Sequence, residues 1–296
     1  MVLTAALLFS TGGAAVKMTS LTGWQVASLR SGIAAIALLL ALPAARQGWS
    51  WRSIVVGCAY AGTMISFVLA NKLTTAANAV FLQSTAPLYI LLIGPLLLKE
   101  PIRPRQLLFM VALAAGMSTI VAGGQAESPT APEPLRGNFV GIVTGFCWAL
   151  TIIGLRWLGR DQPGESSPTG ATAAVAGGNL IACLVTVPAA LPLAKATSVD
   201  WAAVSFLGLF QIALAYVFMV HGVRRVGALE VSLLVLLEPV LGPLWAWLVH
   251  GERPSALALA GGLIIILATV VYTVGSERSA RASGGSDSAR RTPDTG

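Results

Sequence analysis

Between Arg52 and Lys72 the chain runs for 19 residues without a charge, between Lys72 and Lys99 for 26, between Arg105 and Glu127 for 21, and between Arg136 and Arg156 for 19. Crossing a hydrocarbon layer about 30 Å thick takes about 20 helical residues, so each run is long enough to span a bilayer. Comparable runs separate Glu165 from Lys195, Asp200 from Arg224, and Arg253 from Glu277. None has the short alternating segments of a membrane β-barrel. With 55% hydrophobic and 10% charged residues, against about a quarter charged in a soluble domain, water is the wrong solvent for most of this chain.

Charges, prolines and aromatic residues at the run ends predict ten spans, near 2–17, 22–43, 52–71, 75–98, 105–123, 137–157, 169–193, 201–222, 227–249 and 255–275. The first is short and has no basic flank before it, so it reads as a span rather than a cleaved leader. Placing the N-terminus in the cytoplasm puts 13 basic residues on the inside (Arg46, Arg52, Lys99, Arg103, Arg105, Arg156, Arg160, Arg224, Arg225, Arg278, Arg281, Arg290 and Arg291). The outside then holds 5, Lys17, Lys72, Arg136, Lys195 and Arg253. Both termini are therefore expected in the cytoplasm. Residues 276–296, rich in Ser, Arg, Gly and Asp, lack hydrophobic periodicity and read as a disordered tail.

A shift of 152 residues aligns Lys72 with Arg224, Ala76 with Ala228, Pro87 with Pro239 and Glu100 with Glu252. Residues 1–123 and 137–275 thus read as two copies joined by a linker, 124–136, rich in proline. Five spans is an odd number, so the second copy enters the bilayer from the opposite side. The expected fold is an all-α integral membrane protein of ten transmembrane helices in two inverted five-helix repeats, with a substrate site near the midplane between them.

Leu29-Arg30, the stretch from Asn78 through Ala86-Pro87 to Lys99-Glu100, Gly145 to Leu150, and Leu237-Glu238-Pro239-Val240 through Gly251-Glu252 resemble the EamA-type ten-helix exporters of the drug/metabolite transporter superfamily. That resemblance implies a bacterial inner-membrane carrier that exports amino acids or related metabolites. Drug efflux pumps and metabolite importers share the fold.

An ionisable side chain at membrane depth costs on the order of 3 kcal/mol on insertion scales and is a functional candidate by default. Arg30, Glu230 and Glu238 qualify. Arg30 suits a substrate carboxylate, a buried acid or snorkelling outward. Glu238, just before Pro239, suits a proton or a substrate ammonium, or a structural hydrogen bond. Glu230, near the cytoplasmic end, is equally suited to pairing with Arg224 or Arg225. Asn78, Thr85 and Tyr89, at i, i+7 and i+11, share one helical face that either lines a cavity or bonds a neighbouring helix. Gln211 and Tyr216, five residues apart, lie about 140° apart on an α-helix, so only one is expected to face the cavity. Gln83, Trp148 and Asn179 complete the candidate lining. Pro87 and Pro95 in span 4, and Pro239 and Pro243 in span 9, mark equivalent helices as hinges or static kinks.

Other functions find less support. No GxxxxGK[ST] loop is present, and no soluble segment is large enough for a nucleotide domain. His221 and His250 stand near span ends without HExxH or a paired-Asp motif, so neither a metal, a cofactor nor a membrane-embedded enzyme is expected. No charged ring or filter-like loop suggests a channel. Cys58, Cys147 and Cys183 read as small core residues. The expected partners are a small-molecule substrate and the lipid bilayer, with a proton as candidate coupling ion, no nucleic acid, and a monomeric or homodimeric state.

Overall fold

The computed structural model describes residues 1–98, 104–123, 126–160, 169–193, 196–223 and 236–289. Its helices are α1 (Val2–Ser10), α2 (Gly12–Lys17), α3 (Gly23–Ala41), α4 (Pro43–Arg46), α5 (Trp51–Leu73), α6 (Ala76–Gln83), α7 (Ala86–Leu98), α8 (Pro104–Ala122), α9 (Pro134–Arg160), α10 (Thr169–Ala190) and α11 (Ser198–Phe206). A π-helical turn, Leu207–Leu214, follows, then α12 (Ala215–Val223), α13 (Leu237–His250) and α14 (Ala256–Ala289). No strand occurs among the described residues.

Eight helical segments among the described residues are long and apolar enough to cross a membrane, and the apolar stretch Val2–Lys17 is shorter. The first part of the expected ninth span, 227–235, lies outside the described residues, and α13 is its second part. The last helix, α14, extends from Ala256 to Ala289.

Side-chain caps set several starts. Thr22 with Gln25, Ser50 with Ser53, and Thr197 with Asp200 form reciprocal capping boxes at α3, α5 and α11. Gly251, at φ +65°, ends α13 in the left-handed conformation that glycine adopts without penalty.

The packing pattern carries the internal symmetry. With the ten expected spans numbered in chain order, a two-fold axis relating spans 1–5 to 6–10 would require each helix contact to have a mate. Span 3 packs on span 6 (α5 on α9), and span 8 packs on span 1 (α12 on α1). Span 3 packs on span 7 (α5 on α10), and span 8 on span 2 (π turn on α3). Span 4 packs on span 6 (α6 on α9), and span 9 on span 1 (α13 on α1). The pairs 2–7 (α3 on α10) and 5–10 (α8 on α14) are their own mates, as contacts astride the axis must be.

Burial is inverted relative to a soluble protein. Leu40 and Leu108 are exposed at 73% and 71%, while Arg30 and Asn179 are exposed at 1% and 0%. Lipid solvates the outward leucines, and the polar groups turn inward, where partners exist. Cys58 is on the exposed surface, not in the core, whereas Cys147 and Cys183 are partly buried against Gly62 and Gly32, where helices approach closely. Gly141 and Gly145 do the same for α9, which receives Leu82 of α6.

Candidate functional site

Arg30 lies about 10 Å along α3 from its N-terminus, well inside the apolar span. Its Nη2 donates to the Met64 carbonyl at 3.1 Å and approaches Met64 Sδ at 3.6 Å. The guanidinium also stands 5.7 Å from the centre of the Phe67 ring, an attractive cation–π arrangement. Its Nε has no hydrogen-bond partner, and among the described residues no carboxylate pairs with it.

Around this cation the structure gathers polar and aromatic groups from both halves. Tyr60 of α5 lies near Arg30, and its hydroxyl approaches the Asn179 side chain of α10. Asn179 donates to the Val175 carbonyl at 3.0 Å but leaves its Oδ1 unpaired. One face of α10 also carries Thr172, approached by the Tyr216 hydroxyl, with no hydrogen bond to its own Oγ1. Trp148 of α9, Met64 and Tyr216 pack on the cluster formed by Tyr60, Val175, Ala176 and Ala213.

Four sequence candidates therefore meet here: Arg30, Asn179, Trp148 and Tyr216. A fifth, Gln211, adjoins them. A methyl on Gly12 would touch Gln211 Nε2 at 2.9 Å and the Phe67 ring at 3.6 Å, which places Gln211 one level along α5 from Tyr216. The expectation that Gln211 and Tyr216 diverge by about 140° assumed an α-helix. Gln211 lies in the π turn and Tyr216 just beyond it in α12, so the wider winding of the π turn narrows the angle between them. Tyr60, Met64, Phe67 and Thr172 were missed by sequence reading. Tyr60 to Phe67, at i, i+4 and i+7, has helical-face spacing, and the spacing signals a face without saying what it opposes.

The span-4 candidates lie elsewhere. Asn78 Nδ2 donates to Asn138 Oδ1 at 3.0 Å, Thr85 donates to its own Leu82 carbonyl at 2.6 Å, and Tyr89 sets its ring edge-on to Phe146. Their shared face is real, but it packs on α9 and bonds a neighbouring helix. Gln83 ends α6, and the span breaks at Ser84-Thr85. There Thr85 N donates to the Leu82 carbonyl and Leu88 N to the Thr85 carbonyl. The cause is Pro87, which has no N–H for the Gln83 carbonyl and would crowd it. In the second half, α13 starts at Leu237, the residue equivalent to Thr85, just ahead of Pro239.

Glu238 occupies the first turn of α13 on the face of Gly242, which sits against the Ser10 carbonyl and Val80. No cation among the described residues pairs with it. Helix α13 packs chiefly on α1, α2 and α6, none of which carries a residue of the Arg30 cluster. Pro243 lies inside α13. Glu230 and the side chain of Pro95 lie outside the described residues.

A second polar group closes one end of the bundle. Lys17 Nζ stands 3.6 Å from Glu252 Oε1 and donates to the Thr74 carbonyl at 2.8 Å and to the Thr130 carbonyl. Glu252 Oε1 also accepts the Ala76 N–H at 2.9 Å, capping α6 beside Thr75. Burial pushes the Glu252 carboxyl above the usual range, against the opposing pull of Lys17. Nearby, Lys72 donates to the Thr19 carbonyl, and Asp200 accepts from Ser20 and Thr197 through backbone and hydroxyl. These contacts join five connections at one end: 18–22, 74–75, 126–133, 196–197 and 251–255. No group of three His, Cys, Asp or Glu that could hold a metal occurs among the described residues.

Comparison with known proteins accords with this architecture. The EamA-like transporter family matches residues 1–122 and 135–274. An uncharacterized transporter of Bacillus subtilis, YyaM, is 23% identical over 202 residues, 68% of this chain and 65% of that protein. One from Archaeoglobus fulgidus is 28% identical over 211 residues, 69% of each. The chain thus spans about two thirds of the length of these relatives. A crystal structure described only as that of a protein superposes with a TM-score of 0.61 at 22% identity, covering 94% of this chain and 96% of the other, which shows a shared fold. The apolar spans, the doubled helix packing and the double match lead to one conclusion: the chain belongs to the EamA-like transporter family and is a multi-pass membrane protein.

Proposed function

We propose that this protein is a ten-helix carrier, secondary-active or facilitative, that exports amino acids or related small metabolites across a bacterial inner membrane by alternating access, with both termini in the cytoplasm. The observation that carries this reading is that the buried polar cluster draws on both halves. Arg30, Tyr60 and Phe67 come from the first, and Trp148, Thr172, Asn179 and Tyr216 from the second. A site at a repeat interface changes its access when the halves rock. The lattice around Lys17 and Glu252 then serves as the closed outer end. Glu238, without a cation partner among the described residues, is the candidate proton carrier, and the break at Ser84-Thr85 and the start of α13 are the candidate hinges.

Solute counterflow in proteoliposomes tests the reading. Vesicles loaded with unlabelled amino acids should accumulate a radiolabelled amino-acid mixture transiently, as only a carrier can. Steady equilibration without overshoot, or no flux, for amino acids and for toxic analogues alike contradicts it.

A further inference from the structure

The geometry points to a small organic carboxylate with an apolar body as the ligand of the central cluster, its carboxylate held by Arg30. This rests on the carrier reading above and names the chemical class that the site takes.

Arg30 is a fixed cation with five N–H donors, of which Nη2 alone has a hydrogen bond with oxygen. The fork of a guanidinium matches the two oxygens of a carboxylate, and such pairs are roughly twice as strong as neutral hydrogen bonds. Among the described residues no carboxylate forms an ion pair with it: Glu252 is with Lys17, Asp200 with Ser20 and Thr197, and Glu133 with Arg136. Among the described residues the positive charge of the cluster thus has no carboxylate partner, and in a low-dielectric setting an anion is the complementary guest. The flanking groups set the rest of the guest. Phe67, Trp148 and Met64 offer apolar faces, while Asn179 Oδ1 and Thr172 Oγ1 are buried polar atoms without partners. Their order along α10, with Asn179 toward Tyr60 and Thr172 toward Tyr216, suits a guest whose charged end meets Arg30 and whose body lies along the aromatic side chains.

The test uses purified full-length protein and three probes of one shape: 3-phenylpropanoate, 3-phenylpropanol and 3-phenylpropylamine. Equilibrium binding should follow the order acid first, with the alcohol and the amine at least about tenfold weaker, the range expected for a charge-assisted bond. Arg30→Gln should weaken the acid by about tenfold to a hundredfold and leave the alcohol unchanged. Asn179→Asp, nearly isosteric, sets a carboxylate into the cluster beside Tyr60 and should weaken the acid similarly, so a misfolded Arg30 variant does not stop the test. Equal or tighter binding of the alcohol or amine by the native protein overturns the assignment, as does failure of the acid to bind at millimolar concentration. Counterflow of the amine without binding of the acid overturns the carboxylate while sparing the carrier. Binding of the acid without counterflow of any solute spares the carboxylate and overturns the carrier.

Discussion

Two buried cations, Lys17 and Arg30, receive opposite treatment from the same fold. Lys17 has a carboxylate at 3.6 Å and two backbone carbonyls, and its neighbours tie together connections from both halves. Arg30 has one carbonyl, a thioether and an aromatic ring, with its Nε unpaired. A buried pair holds structure, and removing one member leaves a bare charge that costs far more than the pair contributes. A buried cation left unpaired must be kept for another reason, because insertion alone costs on the order of 3 kcal/mol. The contrast is what sets the proposed closing lattice apart from the proposed binding site.

The sharpest way to break this contrast is to unpair Lys17. Glu252→Gln should lower stability by about 3–5 kcal/mol, and Lys17→Met made with it should recover part of the loss, since no bare charge remains. Thermal melts of both single variants and the double variant check this, and additive losses would contradict the pairing. Next in size, Arg30→Gln should cut counterflow by roughly a hundredfold at unchanged melting temperature, because no carboxylate is left bare. Glu238→Gln should lower transport by about tenfold or flatten its pH dependence while folding is retained; wild-type flux with wild-type pH dependence would remove Glu238 from the coupling role.

A smaller effect follows from Glu252 itself. Its carboxyl titrates above the ordinary value when folded, so the folded state binds that proton more tightly than the unfolded chain does. The associated stability is fully present below the unfolded pKa and is lost as pH rises through the folded one. Melting temperature should therefore fall over that window more in the native protein than in Glu252→Gln. Smallest of all, Asn78→Ala should cost about 1–2 kcal/mol of stability through the Asn138 bond and leave binding of 3-phenylpropanoate unchanged.

Much of this was legible in the sequence, for reasons that differ by feature. The spans follow from run length because lipid imposes it, and Arg30 and Glu238 stand out because charge is rare at that depth. The break at Ser84-Thr85 was foreshadowed by Pro87, whose missing N–H acts locally. Partnership was not legible. Asn78, Thr85 and Tyr89 do share a face, yet nothing in their spacing says that α9 covers it. The π turn at Leu207–Leu214 has no marker in its apolar sequence, and it narrows the angle between Gln211 and Tyr216. Lys17 and Glu252 looked like loop charges of an outer surface because 235 positions separate them, and only the fold brings them together.

The central claim is that the Arg30 cluster, not the Lys17 lattice, is where the solute binds. Counterflow of a radiolabelled amino-acid mixture, measured side by side for the native protein, Arg30→Gln and the Lys17→Met/Glu252→Gln double variant, tests it most directly. The account predicts that the double variant retains transport within a few-fold while Arg30→Gln, folded and reconstituted to the same density, falls to background. Native flux through Arg30→Gln would contradict it.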